Sequence, residues 1–126
     1  MFRYSSFASI MPSLSIGLVC AERSDTLLFF PEGTFTRSAG LASFHLGAFR
    51  VACLAQRPVV PIALHGARAV LRDGQWLPRR GGITVTVLPP IRPDGNDFRA
   101  MTRLRDRVHA AILAHCGEPS LQTYAD

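Results

Sequence analysis

The sequence predicts an α/β domain, and three observations carry that expectation. Short apolar runs at Thr26–Phe30, Val59–Leu64 and Ile83–Leu88 have the length of strands rather than helices. Two longer segments, Phe44–Gln56 and Asp97–Cys116, have helical length and lie between or after those runs. Apolar content of 48% against 18% charged residues places the chain with globular proteins rather than disordered ones, and 126 residues suit one domain at most.

The first run is the one the chain is organised around: Leu27-Leu28-Phe29-Phe30-Pro31-Glu32-Gly33-Thr34-Phe35-Thr36-Arg37-Ser38. The apolar part reads as a buried strand, and Pro31, which has no backbone N–H for a sheet, stops it. A carboxylate, a glycine, hydroxyls and a guanidinium then follow within a few residues. Ligands of open α/β sheets bind outside the carboxyl ends of the strands. Gly33 lets the backbone turn or approach a ligand closely. Arg37 offers a planar fork suited to phosphate or carboxylate, and Thr34, Thr36 and Ser38 add neutral donors. Ionised Glu32 does not bind a phosphate itself but can fix a neighbouring basic group. The physical reading is an anion site at a strand end.

The same residues carry a family resemblance. Phe30-Pro31-Glu32-Gly33-Thr34, followed by a basic residue, resembles the Phe-Pro-Glu-Gly-Thr block of the glycerolipid acyltransferases, a family that includes the 1-acylglycerol-3-phosphate acyltransferases. Phe44-His45-Leu46-Gly47-Ala48-Phe49 is similar to the family's Phe-x-x-Gly-x-Phe segment, and Val59-Val60-Pro61-Ile62-Ala63-Leu64 to its proline-bearing apolar strand. The similarity covers residues 26–92. It implies a glycerol-3-phosphate acyltransferase-like sheet with flanking helices. The implied reaction moves an acyl group from acyl-CoA or acyl carrier protein to lysophosphatidate or a related glycerophospholipid, a step of phospholipid biosynthesis. By resemblance, Glu32, Gly33, Thr34 and Arg37 hold the acceptor phosphate, and Pro61 and Ile62 line an acyl pocket, although filling the core is an equally good role for those two. The acyl donor is a substrate, and no further cofactor is implied.

Two departures bear on activity. The family's catalytic element is a His-x4-Asp motif upstream of these blocks, in which His is the general base and Asp orients it. Here His45, His65, His109 and His115 are followed five positions on by Arg50, Val70, Ala114 and Ser120. No catalytic residue is therefore assigned in this chain, and the family's intermediate Arg-bearing block is not found in residues 1–25. The other departure is that Phe35 and Thr36 separate Thr34 from Arg37, where the family places its basic residue directly after the threonine. The expectation is an N-terminally truncated domain: 1–25 poorly matched, 26–117 the C-terminal part of an acyltransferase domain, 118–126 a frayed tail. The isolated chain is expected to be inactive. The alternative is a truncated, non-catalytic domain that binds phosphate or an anionic membrane.

Charge and composition narrow the partners. The net charge is +5, and all 14 basic residues are arginine. That balance suits phosphate-bearing partners such as lysophospholipid, glycerol phosphate or an anionic membrane surface. Nucleic acid would suit the charge, but aromatics do not interleave with the arginines and no reader motif is present. Cys20, Cys53 and Cys116 are odd in number, widely spaced and without Cys-x-x-Cys, which argues against a disulfide framework or a zinc site and for small buried hydrophobes in a reducing environment. The expected location is the cytoplasmic face of a membrane, peripherally or within a larger membrane protein. The N-terminal run is too short, Ser-rich and interrupted for a membrane span. A signal peptide is discounted, because its removal would leave a chain starting within a few residues of the first strand. Ile16–Glu22 reads as the end of a helix and Arg23–Asp25 as a turn.

The remaining elements follow in order. Phe44–Gln56 is apolar on nearly all sides, as a mostly buried helix is, with Ser43 as its candidate cap and Arg57-Pro58 as its end. His45 sits where family members often carry Lys or Arg, which makes it a weaker basic contact or, more simply, an exposed helix-start residue. Val59–Leu64 is continuous rather than alternating, as in the interior of a parallel sheet, with Pro61 marking an edge or bulge. His65 stands at a strand end without an Asp five positions on. Arg68, Arg72, Arg79 and Arg80 surround Trp76, either as a solvated loop face or as an interfacial membrane contact. Ile83–Leu88 alternates with Thr84 and Thr86, as a half-buried strand does, and Pro89-Pro90 ends it. In the last helix Phe98, Met101, Arg105, Val108, Ile112 and His115 form the expected stripe, widened by Leu104 and Ala111, with Asn96 or Asp97 as cap and Gly117 just past the end. His109 and His115 are read as incidental.

Overall fold

The computed structural model describes residues 26–33, 39–70 and 77–121. Their order is α1 (Gly47–Leu54), β1 (Ile62–His65), α2 (Ala67–Val70), β2 (Thr84–Val87) and α3 (Phe98–Cys116). Helices and a small antiparallel sheet make this a mixed architecture compatible with an α/β acyltransferase domain. The N-terminal segment 1–25 and the Trp76–Arg72 pair of the basic cluster lie outside the described residues.

α3 forms where the sequence places it. The Asp97 carboxylate accepts the Ala100 N–H at 3.1 Å, which satisfies one of the four free N–H groups at the helix start. Gly117, at φ 70° and ψ 15°, ends the helix in the left-handed conformation that a Cβ would penalise. Its buried stripe is Ala100, Met101, Leu104, Val108, His109 and Cys116. Phe98 and His115, expected on that stripe, are exposed instead. Met101, Leu104 and Val108 are buried as expected, and the inward face extends to Ala100, His109 and Cys116 rather than to Phe98 and His115.

α1 begins at Gly47, later than the predicted Phe44. Leu46 is its N-cap residue and makes no side-chain cap bond, so Ser43 does not cap it. Residues 42–45 are irregular chain, and backbone groups of Ala42 and His45 bond elsewhere, as described below. The helix ends because Gln56 takes φ 50° and Pro58 follows; the Gln56 amide donates to the carbonyls of Cys53 (2.7 Å) and Gly95 (3.1 Å), tying this end to the loop before α3.

α3 packs on both α1 and β1. The resulting core joins Leu41, Phe44, Phe49, Ala52, Cys53, Ala100, Met101, Leu104, Val108 and Cys116. Cys53 is fully buried and Cys116 nearly so, and both thiols are free, as their apolar settings imply. Burial pushes the Cys53 thiol above its usual 9.0, and the nearby Asp94 and Asp97 carboxylates add to this, while Arg103 opposes it. A thiol that ionises more readily unfolded than folded stabilises the fold at lower pH and ceases to do so as pH rises through the folded value. Thermal stability is therefore expected to fall as pH rises above about 9, and Cys53→Ala is expected to flatten that fall in a melting series.

The sheet corrects the sequence reading. Val59–Leu64 was expected inside a parallel sheet; β1 instead pairs antiparallel with β2, Ile62 opposite Val87 and Leu64 opposite Val85. Ala63 is buried against the helices, while Ile62, Leu64, Val85 and Val87 share the other face and are each at least 40% exposed. The continuous apolar run thus reports side chains on two faces, only one of which α3 covers. The half-buried strand predicted at Ile83–Leu88 is present as β2, but its valines, not its threonines, point away from the core. Pro61 precedes β1 and offers its carbonyl to the Leu88 N–H at 2.9 Å, a place where its missing N–H costs no ladder bond. No strand pairing is found at 26–30 among the described residues; the predicted strand Thr26–Phe30 is irregular chain leading into the turn.

Candidate functional site

The Pro-Glu-Gly segment is a tight turn. The Gly33 N–H donates to the Phe30 carbonyl at 3.1 Å, with Pro31 at the second position, where its fixed φ fits. Gly33 has φ 76°, a backbone state that favours glycine.

The segment 42–45 holds this turn at two points. The Ala42 N–H donates to Glu32 Oε2 at 3.0 Å, and the His45 N–H donates to the Pro31 carbonyl at 2.8 Å. Glu32 therefore braces the turn with one carboxylate oxygen. The His45 imidazole lies directly against Gly33: a Cβ there would stand 2.8 Å from Cδ2 and 3.0 Å from Nε2. The backbone of a positive-φ glycine and an exposed imidazole thus share one surface. Thr34 and Arg37 follow in sequence and lie outside the described residues.

The segment 40–42 is anchored in turn by the C-terminal part of the chain. The Leu41 N–H donates to the Pro119 carbonyl at 2.8 Å, and the Leu121 N–H donates to the Leu41 carbonyl at 2.9 Å. Over its described residues 118–121, the expected frayed tail is therefore bonded to the body. Arg68, read from sequence as part of a basic cluster, donates through Nε to both oxygens of Glu118 (2.8 and 2.9 Å) and through Nη2 to the Gly40 carbonyl at 3.3 Å. Arg79 and Arg80 are exposed.

His109 is the residue that sequence reasoning missed. It is 4% exposed, the only buried polar or charged side chain among the described residues. Its Nε2 lies 3.2 Å from the Ala42 carbonyl, so Nε2 is the donor, and its ring meets Phe44 edge-on at 4.8 Å. The available signal was a histidine directly after Val108 on the inward side of an amphipathic helix, where a buried polar group must find a partner. His115, by contrast, bonds only the Ala111 carbonyl of its own helix, as an incidental surface histidine does.

The other sequence candidates are dispersed. Pro61 is buried and Ile62 is 40% exposed, so the structure does not turn these neighbours to one face. His65 ends β1 with its ring against Gly117. Among the described residues no cluster of metal-ligating side chains occurs, and no helix is long and apolar enough to cross a membrane.

The Acyltransferase family model matches residues 8–65, a span that contains the turn, His45 and β1. A 1-acyl-sn-glycerol-3-phosphate acyltransferase of Limnanthes douglasii is 38% identical over 76 residues, covering 60% of this chain and 27% of the relative. One of Cocos nucifera is 26% identical over 116 residues, covering 92% of this chain and 38% of the relative. The human 1-acyl-sn-glycerol-3-phosphate acyltransferase alpha is 32% identical over 102 residues, covering 75% and 36%. The chain thus spans roughly a third of the length of these relatives. No solved structure matches it at significance. The family-model match over the Pro-Glu-Gly turn, together with relatives from plants and animals that share one name, supports a glycerolipid acyltransferase family domain in this chain.

Proposed function

We propose that this chain supplies the acceptor-phosphate half of an acyltransferase acting on lysophosphatidate or a related glycerophospholipid. The observation that supports the reading best is the Phe30–Gly33 turn, where the positive-φ Gly33 backbone and the exposed His45 ring share a surface. A phosphate there would take hydrogen bonds from backbone N–H groups, from Thr34 and from the Arg37 fork, with His45 as a further basic contact. Glu32 serves this site from behind, by holding the turn to Ala42.

In the proposed reaction a base removes the proton of the acceptor hydroxyl. The oxygen attacks the thioester carbonyl of acyl-CoA or acyl carrier protein, the C–S bond breaks, and the thiolate leaves and regains a proton. No histidine of this chain has an aspartate five positions on, so the base is assigned to sequence outside these 126 residues. The donor brings the activated acyl group, and no other cofactor enters the scheme. Pro61 and Ile62 remain candidates for contact with the acyl chain. The net charge of +5 fits work at an anionic membrane surface on the cytoplasmic face, peripherally or within a larger membrane protein.

The missing His-x4-Asp favours one alternative, a domain that binds phosphate or anionic membrane without catalysis. Acyl transfer from labelled acyl-CoA to lysophosphatidate separates the two. Activity is expected only when the chain is extended upstream to include a His-x4-Asp segment. Activity in the chain alone overturns the assignment of the base, and silence in both folded proteins favours the binding domain. For the site itself, Arg37→Ala is expected to weaken lysophosphatidate binding by about tenfold to a hundredfold in a calorimetric titration, the worth of a charge-assisted contact. Unchanged affinity removes Arg37 from the site.

A further inference from the structure

Ala42 has an unusual pair of partners. Its N–H goes to the Glu32 carboxylate of the turn, and its carbonyl goes to His109 on α3. One residue thus links the Phe30–Gly33 turn to a buried imidazole far along the chain, by contacts of 3.0 and 3.2 Å. The link continues through three residues, because the His45 N–H holds Pro31 from the same segment.

His109 is not needed to fill the core. The cluster around it is otherwise apolar, and a buried imidazole costs free energy unless it is hydrogen-bonded. A leucine or phenylalanine would bury as well without that requirement. What His109 adds is direction: a fixed donor, held by its edge contact with Phe44, aimed at one carbonyl. α3 lies beyond residue 65, where the family-model match ends, so this support comes from outside the matched blocks.

We propose that His109 is a positioning residue for the acceptor-phosphate turn, acting through the Ala42 backbone to set where Glu32 and His45 hold Gly33. The proposal rests on reading that turn as the acceptor site. Losing the donor frees the Ala42 carbonyl, and the 42–45 segment shifts to find another partner. The turn follows, because among the described residues both bonds that hold it from outside come from that segment.

The test uses the full chain and three variants, His109→Leu, His109→Gln and His109→Asn. Gln can place an amide donor near the position of Nε2; Leu removes the donor, and Asn is too short to reach. Two quantities are read at a temperature where circular dichroism shows each protein folded: the affinity for short-chain lysophosphatidate below its micelle concentration, and the NMR position of the Gly33 amide. His109→Leu is expected to bind about tenfold more weakly and to move the Gly33 amide, with Gln restoring both. If Leu does not fold, Asn takes its place with the same expectation. An unmoved Gly33 amide in Leu or Asn overturns the proposal, as does a Gln variant that behaves like Leu. If the wild-type chain binds no lysophosphatidate, the acceptor-site reading fails, while the Gly33 amide still decides whether His109 controls the turn.

Discussion

Phe49→Ala is expected to lower folding stability by about 3–5 kcal/mol, the usual cost of deleting a buried aromatic side chain. Phe49 is 2% exposed and is among the largest fully buried side chains, with Leu104 and Cys53. Its ring lies nearly parallel to that of Phe44, 8° between planes and 6.3 Å between centroids. Phe44 in turn carries the edge contact to His109. The loss therefore falls on the junction of α1 and α3 and on the segment that holds the turn. Domains of this kind are stable by only about 5–15 kcal/mol, so the variant should sit close to its unfolding midpoint under mild conditions. Urea denaturation reads the effect as a lower midpoint. An unfolding free energy within about 1 kcal/mol of wild type would mean that α1 and α3 do not share this core.

Gly33→Ala should have the opposite profile, a small loss of stability and a large loss of binding. The residue is exposed and at φ 76°, so alanine there carries local strain of about 1–3 kcal/mol. Its Cβ would also stand 2.8 Å from the His45 ring, which must move away. The ring is a side chain at the surface and can swing, so the fold survives. The shared surface of Gly33 and His45 does not. Lysophosphatidate affinity is expected to fall by at least about tenfold. Gly47→Ala is the control, because a Cβ at Gly47 meets nothing within 4 Å and the position is helical, where alanine is favoured. If Gly33→Ala binds as wild type does, the turn is not the phosphate contact.

Parts of this molecule were legible in the sequence for clear physical reasons. Asp97 and Gly117 bracket a long amphipathic segment, and caps of those residue types act locally, so the two ends of α3 could be read from the sequence. The turn was legible because Pro31 and Gly33 restrict or free the backbone by themselves. Sheet pairing was not, because it depends on a distant partner. The run Val59–Leu64 looks the same whether its second face meets a helix or stands exposed beside Val85 and Val87. His109 was missed for a related reason: its partner is a backbone carbonyl 67 residues away, which no local pattern announces. Arg68 likewise read as one of a surface cluster, and only the fold brings it to Glu118 and Gly40.

The most direct test of the acceptor-phosphate site compares two ligands that differ only in the phosphate. The full chain would be titrated with short-chain lysophosphatidate and with the monoacylglycerol of the same acyl chain, each below its micelle concentration. The account predicts saturable binding of the phosphate-bearing lipid, lost in Gly33→Ala and weakened in Arg37→Ala, with little binding of the neutral lipid. Equal affinity for both lipids, unaffected by either substitution, would place recognition in the acyl chain and contradict the assignment of the Phe30–Gly33 turn as a phosphate site.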